Sequence, residues 1–320
     1  MHSRAFLPHY RQVHATWMRH GRGAWVHDNK PKKHHYIPVF YLKRWAGTDG
    51  RLCEFSRPYD HRVKPRMTHP AGTGYEENLY SMQGFEPALA QQIEERFFKF
   101  TDSLAADALE RLVTKGVEGE WPQELRSAWS RFIISLLLRT PPDIEALRAQ
   151  WGHTFTDTDA ESEEEYSKIR QDGDPPTFSE YIAKMPIHLV ERYLFETYLP
   201  IVDNDRIGTV INQMQWVITK TDGAKFEFLT SDRPVVRTGL NHQFAHIALP
   251  IGPSLLFAAV KNNETFKRFK AIPMNALVVD INTKVVSQAT RLAFGRSDRQ
   301  LGFVGNRLGS DPSPVLLSPR

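Results

Sequence analysis

The sequence has one cysteine, Cys53, in 320 residues. A single cysteine excludes an intrachain disulfide and any zinc site that is built from several cysteines. No segment approaches the ~18 consecutive apolar residues that a membrane-spanning helix needs. The longest apolar run, FIISLLL at residues 132–138, lies between Arg131 and Arg139 and is typical of a buried helix segment. We therefore expect a cytoplasmic protein that has no membrane partner.

Targeting and catalytic motifs are also missing. The N-terminal segment has no apolar core of the kind that signal peptides contain, because arginines and histidines interrupt it, so we expect no signal peptide. The chain contains no GxxxxGK[ST], GxGxxG, HExxH or GxSxG pattern. The sequence therefore shows no motif of a nucleotide-binding loop, a zinc protease or a serine hydrolase.

The charge of the chain is unevenly distributed. The formal net charge is only +4, yet residues 1–66 contain 14 Lys/Arg and 4 Asp/Glu, which is a net of +10. A basic segment of this kind can bind the phosphates of nucleic acid. It can equally be a solvated arm that shields an acidic body. Nucleic acid is therefore a candidate partner of residues 1–66, and both interpretations stay open.

Periodicity predicts an α+β fold with a helical N-terminal and central body, at about 85–210. This body packs against a small, mostly antiparallel sheet in the C-terminal third, at about 211–295. MQWVITKT and AKFEFLTS are predicted to form a hairpin around Asp222–Gly223, followed by AHIALPI and LLFAAV as two further strands. Residues 57–80 are predicted to be mainly loop, and a last helix is predicted to continue to about Phe294. We expect a basic arm at 1–30, one domain at 31–300 and a tail at 301–320.

The stretch KHHYIP contains His34, His35 and Tyr36 ahead of Pro38. Adjacent side chains of an extended segment point to opposite sides, so the two histidines are not expected to share one ligand, whereas Tyr36 should share the side of His34. The proline restricts Ile37 to extended geometry and so fixes these directions. Either imidazole is a candidate general base or metal ligand. Each can equally be a histidine that is hydrogen-bonded into a packed junction.

A second polar group follows an apolar strand in FLTSDRPVV, where Ser231 and Asp232 precede Pro234. A carboxylate at the end of a strand can ligate a metal or take part in catalysis. Alternatively, Asp232 can bond its own downstream backbone in an Asx turn.

Charged residues on the predicted helices add further candidates. Arg139 ends an apolar helix, where its guanidinium can hold a phosphate or a carboxylate, or can bond the last carbonyls of the helix. Glu94 lies beside the apolar stripe of a long helix, and if it faces inward it needs a partner such as Arg139 or a histidine. Arg291 is a similar anion-binding candidate.

The ordered motifs KHHYIPVFYLKRWA, NLYS, LLLRTP, FLTSDRPVV and ALPIGPSLLF resemble one mostly bacterial family, the domain of unknown function numbered four-two-three-eight. The resemblance covers about residues 33–294. It implies a shared fold unit and no particular reaction. Two positions depart from the family pattern, because Arg233 stands where Asn is frequent and Trp45 stands where Phe is usual. The positions that match the family motifs are His35, Tyr36, Pro38, Tyr41, Leu42, Arg139, Ser231, Asp232 and Pro234.

Two functions are consistent with these residues. The first is a metal-assisted phosphodiester hydrolase acting on nucleic acid, with His35 as base, Asp232 and Glu94 as ligands of Mg²⁺ or Mn²⁺, and Arg139 as phosphate clamp. The second is a non-catalytic nucleic-acid or protein binding module in which the motif residues form a structural hydrogen-bond network. The further binding candidates are His34, Tyr36, Tyr41, Ser231 and Arg291. Both functions require the early histidines and the late carboxylate to meet in one region.

Overall fold

The computed structural model describes residues 33–59, 61–77, 79, 99–146, 149, 160–185 and 204–314. These residues form a mixed α+β structure, which confirms the predicted fold class. None of the helices in these ranges is both long enough and apolar enough to cross a bilayer. The predicted arm at 1–30 and the candidate Glu94 lie outside the described residues.

The helices begin where the local sequence favours a start. Pro122 precedes the apolar helix α3 (Gln123–Leu138), and the side chains of Asn204 and Asn262 cap α6 (Asp205–Gln213) and α7 (Asn263–Lys270) by accepting backbone N–H bonds. The helices are α1 (Val39–Leu42), α2 (Lys99–Lys115), α3 (Gln123–Leu138), α4 (Ala160–Ile169), α5 (Phe178–Lys184), α6 (Asp205–Gln213), α7 (Asn263–Lys270), α8 (Met274–Ser287) and α9 (Leu301–Gly305).

The strands form three antiparallel sheets. The strands are β1 (Lys33–His35), β2 (Leu52–Ser56), β3 (Lys64–Thr68), β4 (Tyr75–Glu77), β5 (Gln215–Lys220), β6 (Thr230–Ser231), β7 (Val236–Arg237), β8 (His246–Gly252), β9 (Leu255–Val260) and β10 (Ala293–Gly295). Two of the sheets have four strands, in the orders β3-β2-β10-β6 and β5-β9-β8-β7, and β1 and β4 form a separate pair.

The prediction that the sheet is confined to the C-terminal third was wrong. Strands β2 and β3 come from the first seventy residues and share a sheet with β6 and β10, which come from the last hundred residues. Residues 57–80, which were predicted to be mainly loop, contain β3 and β4. Their many prolines and glycines hid two short strands, of which β3 pairs with the preceding β2 and β4 pairs with β1.

The hairpin predicted around Asp222–Gly223 was also wrong. Strand β5 pairs with β9 instead, and the segment after the turn continues into β6, which pairs with β10 in the other sheet. The Phe228 N–H donates to the carbonyl of Pro253 at 2.7 Å, and this bond draws the segment away from β5. The adjacent pairing of β8 with β9 confirms AHIALPI and LLFAAV as two successive strands.

The main core lies between helices α1 to α3 and the sheet that contains β5, β8 and β9. Aromatic side chains fill it: the Trp129 ring meets Phe257 edge-to-face at 5.5 Å, and Trp216 meets the same ring at 5.2 Å. Such contacts bury large apolar areas and add directional ring interactions. The core therefore holds the α1 segment against the late strands, and this arrangement positions the site.

The C-terminal segment differs from the prediction in two ways. Helix α8 ends at Ser287, and the residues up to Phe294 turn back to form β10, so the predicted helix is too long. Helix α9 begins at Leu301, where a tail was predicted, and Val304 and Leu308 are buried beside β2 and β10. The domain boundaries stay a prediction.

Candidate functional site

A polar cleft with a volume of about 560 Å³ brings early and late parts of the chain together. Strands β2, β3 and β4, the residue after β1, and the loop that joins α8 to β10 all contribute to its lining. Arg291 from that loop forms an ion pair with Glu76 of β4 at 3.1 Å, although 215 positions separate them in the sequence. The main ionisable and aromatic lining residues are Tyr36, Glu54, Arg57, Arg66, Tyr75 and Arg291.

Tyr36 lies at the bottom of the cleft and is only 2% exposed. Its N–H and that of Ile37 both donate to the carbonyl of Gly74 at 3.0 Å. Gly74 has φ +65°, and a Cβ at this position would meet the Ile37 Cβ at 3.1 Å, so the turn requires glycine. Burial, followed by the negative charge of Asp232, raises the pKa of the Tyr36 phenol far above its ordinary value. The phenol is therefore a hydrogen-bond donor at neutral pH.

Glu54 is a buried carboxylate in the wall of the cleft. Arg66, its cross-strand partner, makes two bonds to it, from Nε to Oε1 at 3.2 Å and from Nη2 to Oε2 at 2.8 Å. The hydroxyl of Thr73 donates to Oε2 at 2.5 Å. This two-pronged pairing satisfies a carboxylate that would be costly to bury alone.

Asp232 does not line the cleft, but it holds the loop that does. Its Oδ1 accepts the N–H of Thr290 at 2.8 Å, and its Oδ2 accepts those of Arg291 and Leu292 at 2.6 and 3.0 Å. The Asp232 N–H also donates to the Leu292 carbonyl at 2.9 Å. Burial raises the pKa of this carboxyl, although the three N–H groups act in the opposite direction. The carboxylate thus fixes the backbone that presents Arg291 to the cleft.

Two aromatic side chains of the α1 segment tie it to the late strands. The Tyr41 hydroxyl donates to the Pro250 carbonyl at 2.7 Å, so it accepts from the hydroxyl of Thr230, also at 2.7 Å. The Trp45 Nε1 donates to the Phe228 carbonyl at 2.8 Å. The phenylalanine that the family usually has at the Trp45 position cannot make this bond.

Two buried arginines complete the network. Arg139 is fully buried and bonds Asp102 of α2 at 3.1 Å. Arg233 bonds Asp143 at 2.9 Å, and its Nε donates to the Thr290 hydroxyl at 3.1 Å. Both guanidiniums act inside the protein, since each is paired there with a carboxylate.

The comparison with protein families adds one finding to this geometry. A family model described as "Protein of unknown function (DUF4238)" matches residues 33–299. The chain belongs to this family. The match starts at β1 and ends within the turn Asp298–Gln300, so every part of the cleft lining lies inside the DUF4238 unit. The comparisons with curated proteins and with solved structures return no match.

The structure of this DUF4238 chain separates the predicted site residues into two regions. Tyr36 and Arg291 line the cleft, and Asp232 lies directly behind them. His35 does not line the cleft; its ring meets that of Tyr75, which does, at 5.5 Å, and the charge of Arg139 acts on it. The other predicted binding residues, which contribute to the surrounding packing and hydrogen bonding rather than to the cleft lining, are His34, Tyr41 and Ser231.

The predicted metal site is not completed within the described residues. They contain no group of three or more His, Cys, Asp or Glu that could hold a metal ion. The oxygens of Asp232 already accept three N–H bonds from residues 290–292, which favours a structural role over the ligand role, although these long-range bonds are not the local Asx turn that the sequence also allowed. Glu94 lies outside the described residues. Binding of Mg²⁺ or Mn²⁺ and the catalytic roles of His35 and Arg139 stay predictions.

Sequence reasoning missed the residues that supply most of the charge in the cleft. Glu54 stands in the middle of the buried strand LCEFS, and an acid in an apolar strand requires a buried partner. This signal was available, because Arg66 follows in the next strand. The role of Arg57 had no such signal, since it depends on the distant carbonyl of Leu308, to which its Nη1 donates at 2.7 Å.

Because His34 and His35 have lowered pKa values, we expect the protein to lose stability in mild acid. Burial lowers the pKa of His34 and His35 from the ordinary value of 6.5; His35 is lowered further by Lys33 and Arg139, against a raising effect of the Ala71 backbone. Below pH 6.5 the unfolded chain therefore binds protons that the native state does not. The free energy of unfolding should fall as pH drops, by at most about 1.4 kcal/mol per pH unit for each histidine.

Urea unfolding between about pH 7.5 and pH 5 checks this expectation. His35→Gln should flatten the pH dependence, whereas His61→Gln, which changes an exposed histidine, should leave it as in the unmodified protein. Equal slopes in all three proteins would contradict a lowered pKa at His35.

Proposed function

We propose that this DUF4238 chain is a nucleic-acid-binding module. Its contact face is the β2–β3 hairpin together with the rim of the cleft. The proposal rests on a group of exposed cationic side chains on this hairpin, which are Arg57, Arg62, Lys64 and Arg66. The single acid within residues 57–66 is Asp60. Exposed Lys and Arg side chains on one element attract phosphates without reading sequence.

The state of Arg57 supports a phosphate contact. Its Nε donates to the His61 carbonyl at 3.0 Å and its Nη1 donates to that of Leu308. In the part of the chain that the structure describes, no carboxylate pairs with this guanidinium. Two of its five N–H donors are used, so three are left for an oxyanion.

An exposed aromatic ring on the same hairpin favours single-stranded nucleic acid. Tyr59 is 79% exposed and follows Arg57 by two residues. Rings of this kind stack on unpaired bases, and neighbouring cations hold the phosphates. A duplex keeps its bases stacked on each other, so Tyr59 can contribute less to duplex binding.

The residues that match the family motifs support the proposed contact face through hydrogen bonds inside the protein. Asp232 holds the loop that carries Arg291, and Tyr41 fastens the α1 segment to β6 and β8. These bonds support the structural-network alternative. In this proposal they keep the cleft and the hairpin in a fixed relation.

Binding of a fluorescent single-stranded oligonucleotide at a series of salt concentrations tests the proposal. We expect affinity to fall steeply with salt and to exceed the affinity for the matching duplex. Arg62→Ala/Lys64→Ala should reduce the slope of log K against log salt by about 2, roughly one for each lost phosphate contact. Lys267→Ala/Lys270→Ala removes the same charge from exposed positions on α7 and should leave the slope unchanged.

Absence of binding at low salt, or equal losses in the two double variants, would refute the hairpin as the contact face. The same samples report on hydrolysis. Cleavage of the probe after addition of Mg²⁺ or Mn²⁺ would instead favour the predicted phosphodiester hydrolase.

A further inference from the structure

The Tyr36 hydroxyl has no hydrogen-bond partner among the described residues, although Tyr36 is 2% exposed. Buried phenol groups normally find a partner. Tyr41, five residues later, shows the usual case, because its hydroxyl bonds both Thr230 and Pro250. Tyr36 lines the cleft, and the charges that act on its phenol include Arg291 and Glu54, which line the same cleft. Its hydroxyl is therefore a preformed donor at the bottom of an open space.

The charged groups of the cleft leave one cation uncompensated. Glu54 is paired with Arg66, and Glu76 is paired with Arg291. Among the described residues, Arg57 bonds only backbone carbonyls. The cleft therefore presents a guanidinium and the Tyr36 hydroxyl as donors, and its remaining charges are arranged in opposite pairs.

The size of the cleft restricts the class of ligand. A volume of about 560 Å³ lies within the range that is usual for small-molecule sites and far exceeds that of a free phosphate ion. The hydroxyls of Ser56, Thr73 and Thr290 add polar groups along its walls. A ligand that fills it needs an oxyanion for Arg57 and a second acceptor for Tyr36.

We infer that the cleft binds a phosphate-bearing small molecule of nucleotide size, whose phosphate contacts Arg57 and which accepts a hydrogen bond from Tyr36. The phosphate can belong to a free nucleotide or to the end of a nucleic acid strand, since both offer the same group. This inference does not depend on the hairpin as a nucleic-acid surface, because a free nucleotide can bind while an oligonucleotide does not.

Calorimetric titration tests the inference on the full chain. The probes are the four common ribonucleoside 5′-monophosphates, inorganic phosphate, and one oligonucleotide with and without a 5′-phosphate. We expect at least one monophosphate to bind more tightly than inorganic phosphate. Preference for the 5′-phosphorylated strand over all free monophosphates would assign the site to strand ends. If no monophosphate and neither strand form binds at millimolar concentration, the inference is overturned.

The variant Tyr36→Phe tests whether the ligand accepts a hydrogen bond from the Tyr36 hydroxyl. It removes only the unpartnered hydroxyl, so we expect an unchanged Tm and an affinity about tenfold lower, as for one lost hydrogen bond to a charged group. Tyr41→Phe is the matched control for stability, because its hydroxyl makes two buried bonds and their loss should lower the Tm. An affinity unaffected by Tyr36→Phe and by Arg57→Gln would overturn the inference. A fall in Tm for Tyr36→Phe as large as that for Tyr41→Phe would also overturn it, since the hydroxyl would then be a structural group.

Discussion

Replacement of Asp232 by alanine should lower the free energy of unfolding by about 3–5 kcal/mol, because three N–H groups lose at once the buried carboxylate that accepts their bonds. These groups belong to Thr290, Arg291 and Leu292, and they converge on the two oxygens of one carboxylate. Alanine supplies no acceptor for these donors, so the loop loses the bonds that hold its backbone in place. Arg291 should then leave the cleft together with the loop.

Urea unfolding followed by tryptophan fluorescence measures this loss. Asp280→Ala is the matched control, since it removes an aspartate that forms an exposed pair with Lys284 on α8. Such a pair contributes less than about 1 kcal/mol. Asp232→Asn should fall between the two, because the amide keeps one acceptor oxygen but directs N–H groups at other donors. An Asp232→Ala protein that unfolds like the control would return Asp232 to the list of catalytic candidates.

Local pattern was sufficient to predict many elements of this fold but not their partners. The apolar run ahead of Arg139 predicted α3, and two apolar segments around Pro253 predicted β8 and β9. Alternation of side chains indicates that a strand exists, yet it carries no information about which distant strand accepts its hydrogen bonds. For this reason β5 was assigned to the wrong neighbour, and the sheet that joins β2 to β10 was not predicted.

The candidate site shows the same difference, because the sequence indicated several of its residues but not the contacts between them. The resemblance and the local pattern selected Tyr36, Asp232 and Arg291, which lie in or directly behind the cleft. Their roles could not be predicted, because the role of Asp232 depends on three N–H groups that lie about sixty residues downstream. The acid partner of Arg139 within the described residues is Asp102, which no pattern had selected. Identity of residues was thus accessible from sequence, and contact between them was not.

The departure at Arg233 from the family pattern has a structural explanation in its partner. Asp143 is fully buried, and it accepts a bond from the Arg233 Nη2 at 2.9 Å and another from the hydroxyl of Thr140. The Arg233 Nε reaches Thr290, whose N–H bonds Asp232. The arginine therefore connects the segment after α3 with the loop behind the cleft. A chain with asparagine at this position needs a different arrangement around Asp143.

Replacement of Asp143 by alanine should accordingly destabilise the protein by about 3–5 kcal/mol, because it leaves the buried Arg233 guanidinium without the carboxylate that it bonds. Most of the lost stability should come from burying the Arg233 charge without its carboxylate partner. The lost attraction between Arg233 and Asp143 should contribute less. Asp143→Ala/Arg233→Met tests this reason, since it removes both charges while keeping most of the volume. We expect the double variant to recover a large part of the stability, as buried ion pairs that are replaced by apolar groups often do. If instead the double variant is no more stable than Asp143→Ala alone, the guanidinium is not the cause, and the bonds from Arg233 to Thr140 and Thr290 hold this region by themselves.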